Sequence, residues 1–291
     1  MKPSCHLLLC TDMDRTVIPN GIPVESRFAR RRFHEFVTTP EVTLAYVTGR
    51  DQGLVMQAIT EYDLPLPKYA ITDVGTKIYH VESGVWEELQ EWKQEIDGDW
   101  HGQSATKLHE LLADVAGLKQ QELSKQNDHK LSYYVDLQVD RKRLLDAVEM
   151  RLCQQNISAN LVWSIDDVAA VGLLDILPQS ANKLHALNFL RQLLNFELTE
   201  TLFAGDSGND LDVMCSVIPS VLVANASDEV RAAAQQRTDE AGNNKALYCA
   251  SGQYLEMNGN YSAGILEGVW HFSSEFRDQL SQLNSQAKGQ I

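Results

Sequence analysis

Two pairs of aspartates follow apolar runs of the chain and together could hold a hard cation. Asp12 and Asp14 come directly after an apolar run near the start, and Asp206 and Asp210 follow another run near residue 200. If both runs are parallel strands, their carboxyl ends meet at one edge of a sheet, where ligands bind. Carboxylates this close repel one another unless a cation binds them, and Mg²⁺ prefers oxygen ligands. The four side chains therefore predict a Mg²⁺ site.

Residues that suit a phosphoryl group accompany these aspartates. Thr48, Gly49 and Arg50 follow a β-rich run, Asn209 precedes the last aspartate, and Lys183 opens a predicted helix. The helix dipole disfavours a cation at that end, so a phosphate facing the lysine would explain it. Each feature alone has an ordinary explanation, since aspartates close turns and cap helices and lysines are usually solvated. Their joint placement at predicted strand ends favours phosphate binding.

The elements that must position these residues alternate between strands and helices. The predicted strands are 6–11, 42–47, 69–72, 201–204 and 221–224. The predicted helices are 24–37, 51–62, 182–194 and 228–236. Continuous apolar strands that alternate with helices are typical of a parallel sheet covered on both faces.

The middle of the chain has a different pattern. It contains a predicted hairpin around residues 77–86, a partly alternating strand at 130–137, a helix at 141–154 and β-rich segments at 158–165 and 168–177. The predicted fold class is therefore α/β, with a doubly wound, Rossmann-like parallel sheet core and an inserted α+β cap domain. We expect residues 1–83 and 177–291 to form the core and 84–176 the cap. The polar end, 273–291, is expected to be a loose helix or a frayed tail.

Charge and composition exclude several classes of protein. The chain has 291 residues, of which 44% are hydrophobic, and 25 Lys+Arg against 40 Asp+Glu give a net charge of −15. This hydrophobicity argues against wholesale disorder. The negative charge argues against binding to nucleic acid or to anionic lipid. An anionic substrate would need a local cation or a metal to offset the field of the protein.

The cysteines and the apolar runs indicate a cytoplasmic location. The five cysteines are scattered and form no CxxC motif, which is typical of thiols in a reducing compartment; they are Cys5, Cys10, Cys153, Cys215 and Cys249. The apolar run Leu7–Cys10 is too short for a signal peptide. No apolar stretch approaches the roughly 20 residues of a membrane helix. We therefore expect a protein that does not bind membranes.

The order of these motifs resembles the haloacid dehalogenase superfamily of phosphohydrolases. The matching positions are the segment 12–16, Thr48, Lys183 and the segment 205–210. The inserted segment resembles a type IIB cap, and within that group the chain is most similar to sucrose-6-phosphate phosphatases. The segments that carry this closer likeness are 45–50, 74–80, 130–133, 174–183 and 263–268. One residue departs from the pattern: Arg15 stands where the family usually has Gly or Asn.

The resemblance implies a mechanism and roles for these residues. Asp12 would be the nucleophile and form an aspartyl-phosphate, and Asp14 would act as general acid and then as general base. Mg²⁺ would be held by Asp12, the backbone carbonyl of Asp14 and Asp206, with Asp210 binding through water or orienting the others. The phosphoryl group would contact Thr48, Gly49, Arg50, Lys183 and Asn209.

The cap is expected to select the sugar. The resemblance implies that Lys130, Ser132 and Tyr133 could contact it, although an ordinary cap sheet explains these residues equally well. The tryptophans of the cap region more often fill a core than bind sugar.

The expected substrate is a sugar phosphate, and the resemblance implies sucrose 6-phosphate, while several alternatives stay open. Phosphatases for mannosylfructose phosphate or mannosyl-3-phosphoglycerate would share the core residues and differ in the cap. A non-catalytic sugar-phosphate sensor, or a partner subunit of a sugar-phosphate synthase, could lose Asp14 or Lys183 without penalty. A phosphomutase would have to keep water away from the aspartyl-phosphate.

Overall fold

The computed structural model of the chain describes residues 6–166, 169–254 and 256–288, with side chains as far as 285. Cys5, Val168 and the last residues of the polar end lie outside this range. The described residues form two sheets, one of eight strands and one of four. Within them, no helix is both long and apolar enough to cross a bilayer.

Asp12, Thr48 and Asp206 directly follow strands of the larger sheet. Its strands are β1 (Leu7–Thr11), β2 (Val42–Val47), β3 (Tyr69–Thr72), β4 (Lys77–Glu82), β5 (Val85–Glu88), β10 (Thr201–Gly205), β11 (Ser220–Leu222) and β12 (Leu247–Cys249). Their spatial order is β12-β11-β10-β1-β2-β3-β4-β5, and all neighbours are parallel except at β4 and β5. The central strand β1 is buried along its whole length, as an apolar run in a doubly covered sheet should be.

Helices cover both faces of this sheet. The helices are α1 (Ala29–Val37), α2 (Gln52–Glu61), α3 (Gln90–Asp97), α4 (Ala105–Leu111), α5 (Arg141–Cys153), α6 (Lys183–Leu193), α7 (Leu211–Met214), α8 (Asp228–Ala241), α9 (Ser262–Phe272) and α10 (Arg277–Lys288). Residues of α1, α2, α9 and α10 pack in one apolar cluster, and those of α3, α6, α7 and α8 in another. This arrangement confirms the predicted doubly wound α/β core.

The second sheet belongs to the inserted segment. Its strands are β6 (Lys119–Gln120), β7 (Leu131–Val135), β8 (Ala159–Asp166) and β9 (Val171–Pro178). Their order is β6-β7-β9-β8 and every pair is antiparallel. One face packs against α4 and α5 in a third apolar cluster. The separate antiparallel sheet is consistent with the predicted cap.

The contacts of β5 and α3 bear on where the cap begins. β5 pairs with β4 in the large sheet, and Trp92 and Ile96 of α3 pack into the core on its face. The expected boundary at residue 84 would place both elements in the cap. We propose instead that the cap starts after α3, and we retain residue 177 as its proposed end.

Two predicted helices have different bounds in the structure, for local backbone reasons. The helix expected from residue 24 begins at Ala29, because Phe28 adopts a left-handed conformation with φ 65°. The helix expected to end at residue 236 continues to Ala241, where Gly242 terminates it with φ 72°. The polar end is helical over the described part of α10.

Candidate active site

The site lies where β1 and β10 end side by side. The two strands are paired in parallel, with Thr11 opposite Ala204. The backbone N–H of Asp12 donates to the carbonyl of Ala204 at 2.8 Å, so Asp12 continues the strand ladder by one residue. Its side chain is buried. The sheet therefore fixes the position of this carboxylate.

The loop after β10 is held by Asp210. Its Oδ2 accepts hydrogen bonds from the backbone N–H groups of Asp206 and Ser207, both at 3.2 Å. A Cβ at Gly205 would lie 2.7 Å from the Asp210 carboxyl group, so only glycine fits there without a shift. Asp210 thus shapes the loop that presents Asp206.

Lys183 joins the two aspartate pairs. Its Nζ lies 2.8 Å from Asp12 Oδ1 and 2.8 Å from Asp210 Oδ1, and 3.4 Å from Asn209 Oδ1. The side chain of Asn182 caps α6 by accepting from the backbone N–H of His185, which sets Lys183 in the first turn. The lysine side chain therefore lies between the carboxylates that follow β1 and β10. Its immediate partners are the carboxylates of Asp12 and Asp210.

A divalent cation fits the carboxylate cluster. Ligand oxygens of Asp12, Asp206 and Asp210 lie within 4.8 Å of one another. Asp206 Oδ2 is buried and accepts no hydrogen bond from the described residues. Buried carboxylate oxygens normally accept a hydrogen bond; here Arg15 Nε lies 3.4 Å away without forming one, so this oxygen is available to a metal. Both oxygens of Asp210 are engaged by Lys183 and the loop, which suits an orienting role better than direct binding.

Burial and mutual repulsion perturb the protonation of the cluster. Burial and the neighbouring charge of Asp210 raise the pKa of Asp206 to about 6, although Arg15 opposes them. Burial raises the pKa of Asp12, and Lys183 opposes that rise. Burial alone would lower the pKa of Lys183, but Asp12 and Asp210 raise it, so the ammonium stays charged. A second cation would relieve the remaining repulsion among the carboxylates.

The Asp14 side chain is held by Arg50 and Asn20 and not by Lys183. Arg50 donates to it in a bidentate pair, with Nε 2.7 Å from Oδ2 and one terminal nitrogen 2.6 Å from Oδ1. The side-chain amide of Asn20 also donates to Oδ1 at 2.8 Å. Burial raises the pKa of Asp14, but these hydrogen bonds outweigh it and lower the pKa overall. Arg50, which the resemblance placed at the phosphate, is therefore hydrogen-bonded to Asp14, the proposed acid–base residue.

The remaining predicted phosphate ligands line one cavity. It measures about 310 Å³ and opens beside both aspartate pairs. Its walls include Asp12, Asp14, Arg15, Thr48, Gly49, Arg50, Asp206, Ser207 and Asn209. Thr48 is buried at the end of β2, and its hydroxyl accepts from the backbone N–H of Arg50 at 3.2 Å. The sequence motifs at three strand ends therefore meet around one small polar space.

The structure separates the predicted cap residues. Tyr133 is buried in the cap core, and its hydroxyl lies 2.9 Å from His109 Nδ1. This placement corrects the expectation that Tyr133 contacts the sugar, because its ring packs among the helices on the other face. Ser132 points to the opposite face of β7, where its hydroxyl donates to Asp175 of β9. Trp92 and Trp100 are likewise buried, in keeping with the core role expected for the tryptophans.

Lys130 links the cap to the core. Its Nζ lies 3.5 Å from Asp73 Oδ1, and both side chains are buried. Asp73 follows β3, and its backbone N–H donates to the carbonyl of Arg50 at 2.9 Å. Nearby, the Asn127 side-chain amide donates to Thr76 Oγ1 at 3.1 Å. Lys130 therefore contacts Asp73, which is hydrogen-bonded to the loop that carries Thr48 and Arg50.

Sequence reasoning missed several polar residues of the cap face and junction. They are Asp73, Gln126, Asn127 and Asp175. Asp175 has a signal in the sequence, since a lone carboxylate interrupts the apolar run of β9. Gln126 accepts from the backbone N–H of Ser132 at 2.7 Å. Asp73, Gln126 and Asn127 lie in loops, and only the fold brings them to this place.

The chain matches proteins of known family over most of its length. The Sucrose-6F-phosphate phosphohydrolase family model matches residues 5–273. A putative HAD-like hydrolase from Nitrosococcus oceani is 47% identical over 271 residues, which are 93% of this chain and 73% of that protein. Sucrose-phosphatase 1 from Nicotiana tabacum is 28% identical, and the match covers 94% of this chain but 60% of that protein.

Two further matches cover both partners almost completely. Mannosylfructose-phosphate phosphatase from Agrobacterium fabrum is 28% identical over 94% of this chain and 98% of its own. The crystal structure of the sucrose-phosphatase from Synechocystis, solved with sucrose and phosphate, superposes with a TM-score of 0.70 at 28% identity. It covers 92% of this chain and 98% of that chain. These matches agree with the motifs and the two-sheet fold: the chain belongs to the Sucrose-6F-phosphate phosphohydrolase family and is a phosphatase of phosphoric monoesters.

Proposed function

We propose that the chain is a Mg²⁺-dependent phosphatase that hydrolyses a sugar phosphate through an aspartyl-phosphate intermediate. One observation carries this proposal. The ammonium group of Lys183 lies 2.8 Å from both Asp12 and Asp210, beside an Asp206 oxygen that accepts no hydrogen bond from the described residues. Such a site offers a nucleophile, a fixed cation and a place for a second cation. These are the components that phosphoryl transfer requires.

In the first step, a carboxylate oxygen of Asp12 attacks phosphorus and the sugar oxygen leaves. Lys183, Thr48 and Asn209 contact the phosphoryl oxygens and offset their charge. Mg²⁺, held by Asp12, Asp206 and the backbone carbonyl of Asp14, would add positive charge at the same oxygens. The local cations also explain how a chain of net charge −15 binds an anion.

Asp14 transfers protons in both steps. The hydrogen bonds from Arg50 favour its ionised form, which suits the second step, where it accepts a proton from the attacking water. In the first step it must instead donate a proton to the sugar oxygen. We infer that bound phosphate draws Arg50 away from Asp14, which allows the carboxyl group to hold a proton. This exchange reconciles the observed contact with the predicted phosphate-binding role of Arg50.

We propose that the sugar binds to the face of the four-stranded cap sheet that points away from α4 and α5. Asp175 lies there on β9, the buried Ser132 opposite it on β7 donates its hydroxyl to that carboxylate, and Lys130 lies at the junction with the core. Hydroxyl, carboxylate and amide groups can each bond to sugar hydroxyls. This assignment retains Lys130 from the sequence prediction, replaces Tyr133 with Asp175, and gives Ser132 the role of holding the Asp175 carboxylate in place.

Sucrose 6-phosphate is the substrate that we propose first. The family match and the Synechocystis structure support it. Mannosylfructose phosphate is the second candidate, because the Agrobacterium phosphatase matches over nearly its whole length. Family membership favours catalysis over a sensor without activity. The expected synthase partner and cytoplasmic location stay predictions.

A panel of phosphate-release assays tests this proposal. Sucrose 6-phosphate, mannosylfructose phosphate, mannosyl-3-phosphoglycerate and simple hexose phosphates are assayed with Mg²⁺ and with excess EDTA. We expect release to be fastest from sucrose 6-phosphate and to stop in EDTA. Preference for another sugar phosphate would change the substrate but keep the reaction. Activity that persists in EDTA would contradict the metal, and an isomeric sugar phosphate without free phosphate would indicate a mutase.

Mg²⁺ binding is expected to weaken below about pH 6. The raised pKa of Asp206, about 6, means that the metal-free site holds a proton on this carboxyl group at lower pH. Mg²⁺ must then displace that proton in addition to the one that burial favours on Asp12, whereas above about pH 6 the Asp206 carboxylate is already ionised. Protonation of Asp206 alone should lower the apparent affinity by up to about tenfold for each pH unit below 6. Calorimetric titration across this range checks the expectation, and an affinity that does not change with pH would contradict it.

A further inference from the structure

We propose that Arg15 competes with the divalent cation for Asp206 and so lowers the affinity of this chain for its metal. The inference rests on the proposed function, because it concerns the same metal site. It assigns a role to the one residue at which the motif departs from the family pattern. The structure supports it through a contact, a backbone conformation and the balance of charge.

The contact joins Arg15 to the oxygen that a metal would use. Arg15 Nε lies 3.4 Å from Asp206 Oδ2, and the Asp206 side chain is 2% exposed. The same oxygen accepts no hydrogen bond from the described residues. The guanidinium is thus close enough for an electrostatic interaction but is not bonded tightly. A divalent cation that binds Asp206 must displace it or share the carboxylate with it.

The backbone of Arg15 is held by contacts that do not involve its own side chain. Its φ is 58°, in the left-handed region that favours Gly and Asn. The backbone N–H donates to Asn20 Oδ1 at 2.8 Å, and the carbonyl accepts from the Asn225 side-chain amide at 2.6 Å. Asn225 is itself held by the backbone N–H of Tyr261 at 2.8 Å. The backbone therefore has no need of arginine, and what arginine adds is a cation beside Asp206.

The charges around the metal site determine whether Arg15 strengthens or weakens Mg²⁺ binding. The carboxylates of Asp12, Asp206 and Asp210 attract a divalent cation, and Lys183 already neutralises part of their charge. Arg15 adds a second positive charge at the wall of the same cavity, on a side chain that is 50% exposed. Like charges a few ångströms apart in a partly buried site repel strongly enough to change affinity by about tenfold. Removing the guanidinium charge should therefore strengthen Mg²⁺ binding.

Three substitutions separate charge from backbone strain. Arg15→Gln removes the charge but keeps the backbone strain that arises when a residue other than Gly or Asn adopts the left-handed conformation. Arg15→Asn removes both, and Arg15→Lys keeps the charge. Each protein is titrated with Mg²⁺ by calorimetry, and its metal-free melting temperature is measured to show that it folds.

We expect Arg15→Gln and Arg15→Asn each to bind Mg²⁺ about tenfold more tightly than the parent chain, and Arg15→Lys to remain within about threefold. Equal or weaker binding by both neutral variants would overturn the inference while leaving the metal site in place. Asp206→Asn serves as the reference for a damaged site. If the parent chain binds Mg²⁺ no better than Asp206→Asn, the metal site of the proposed function fails, which is a different result.

Discussion

Asp12→Asn is expected to reduce phosphate release by about ten-thousandfold or more, because the amide cannot act as the nucleophile. The fold should survive this change. The amide oxygen can still accept from Lys183 Nζ, which lies 2.8 Å from Asp12 Oδ1. Lys183 keeps its ion pair with Asp210, and the variant removes one of several neighbouring buried negative charges, so its melting temperature should match or exceed that of the parent chain. Initial rates and thermal melts measure the two effects separately.

Asp212→Asn is the matched control for this substitution. Asp212 lies two residues beyond the loop that carries Asp210, and its side chain is 75% exposed. The same chemical change should leave both rate and melting temperature nearly unaltered there. Turnover by Asp12→Asn close to that of the control would refute the nucleophile assignment. Trapping of phosphate on the parent chain, and its absence from Asp12→Asn, would support the covalent intermediate independently.

The part of the site that the sequence predicts well is the part fixed by strand ends. Asp12 and Thr48 directly follow strands of continuous apolar residues, and Asp206 follows β10. Parallel strands bring their carboxyl ends to one edge, so the order of motifs alone places these side chains together. The structure adds the bonding pattern of the cluster. That Lys183 bridges Asp12 and Asp210 depends on where α6 docks, which local patterns do not determine.

The sequence predicts less about the cap residues and about the contacts between loops. Neighbouring residues of a strand point to opposite faces, so Ser132 and Tyr133 could not both face the sugar. Which face turns inward is decided by packing against α4 and α5, and α4, with seven residues, is too short to stand out in the sequence. The contact between Arg50 and Asp14 spans 36 positions and depends on loop geometry. Such polar contacts follow from the folded chain and not from spacing.

Lys183→Met is expected to lower kcat/KM by about a thousandfold or more and to destabilise the metal-free fold. The lysine side chain is 3% exposed and has ion pairs with Asp12 and Asp210 at 2.8 Å each. Removing one member of a buried ion pair costs about 3–5 kcal/mol, because the charges left behind are unpaired. The carboxylates would then favour protonation, which also weakens Asp12 as a nucleophile. Chemical denaturation and steady-state kinetics measure the two losses.

The effect of Mg²⁺ on the melting temperature distinguishes unpaired carboxylates from a simple packing defect as the cause of the lost stability. If the loss arises from unpaired carboxylates, Mg²⁺ should raise the melting temperature of Lys183→Met by more than it raises that of the parent chain, since a ligand that binds the folded state stabilises it. A packing defect would leave the response to Mg²⁺ unchanged. Lys107→Met is the matched control, because Lys107 pairs with Glu110 on the surface and is 64% exposed. Such surface pairs contribute at most about 1 kcal/mol, so the control should lose neither stability nor activity. Equal losses in both variants would show that the Lys183 ammonium has no special role in holding the aspartates together.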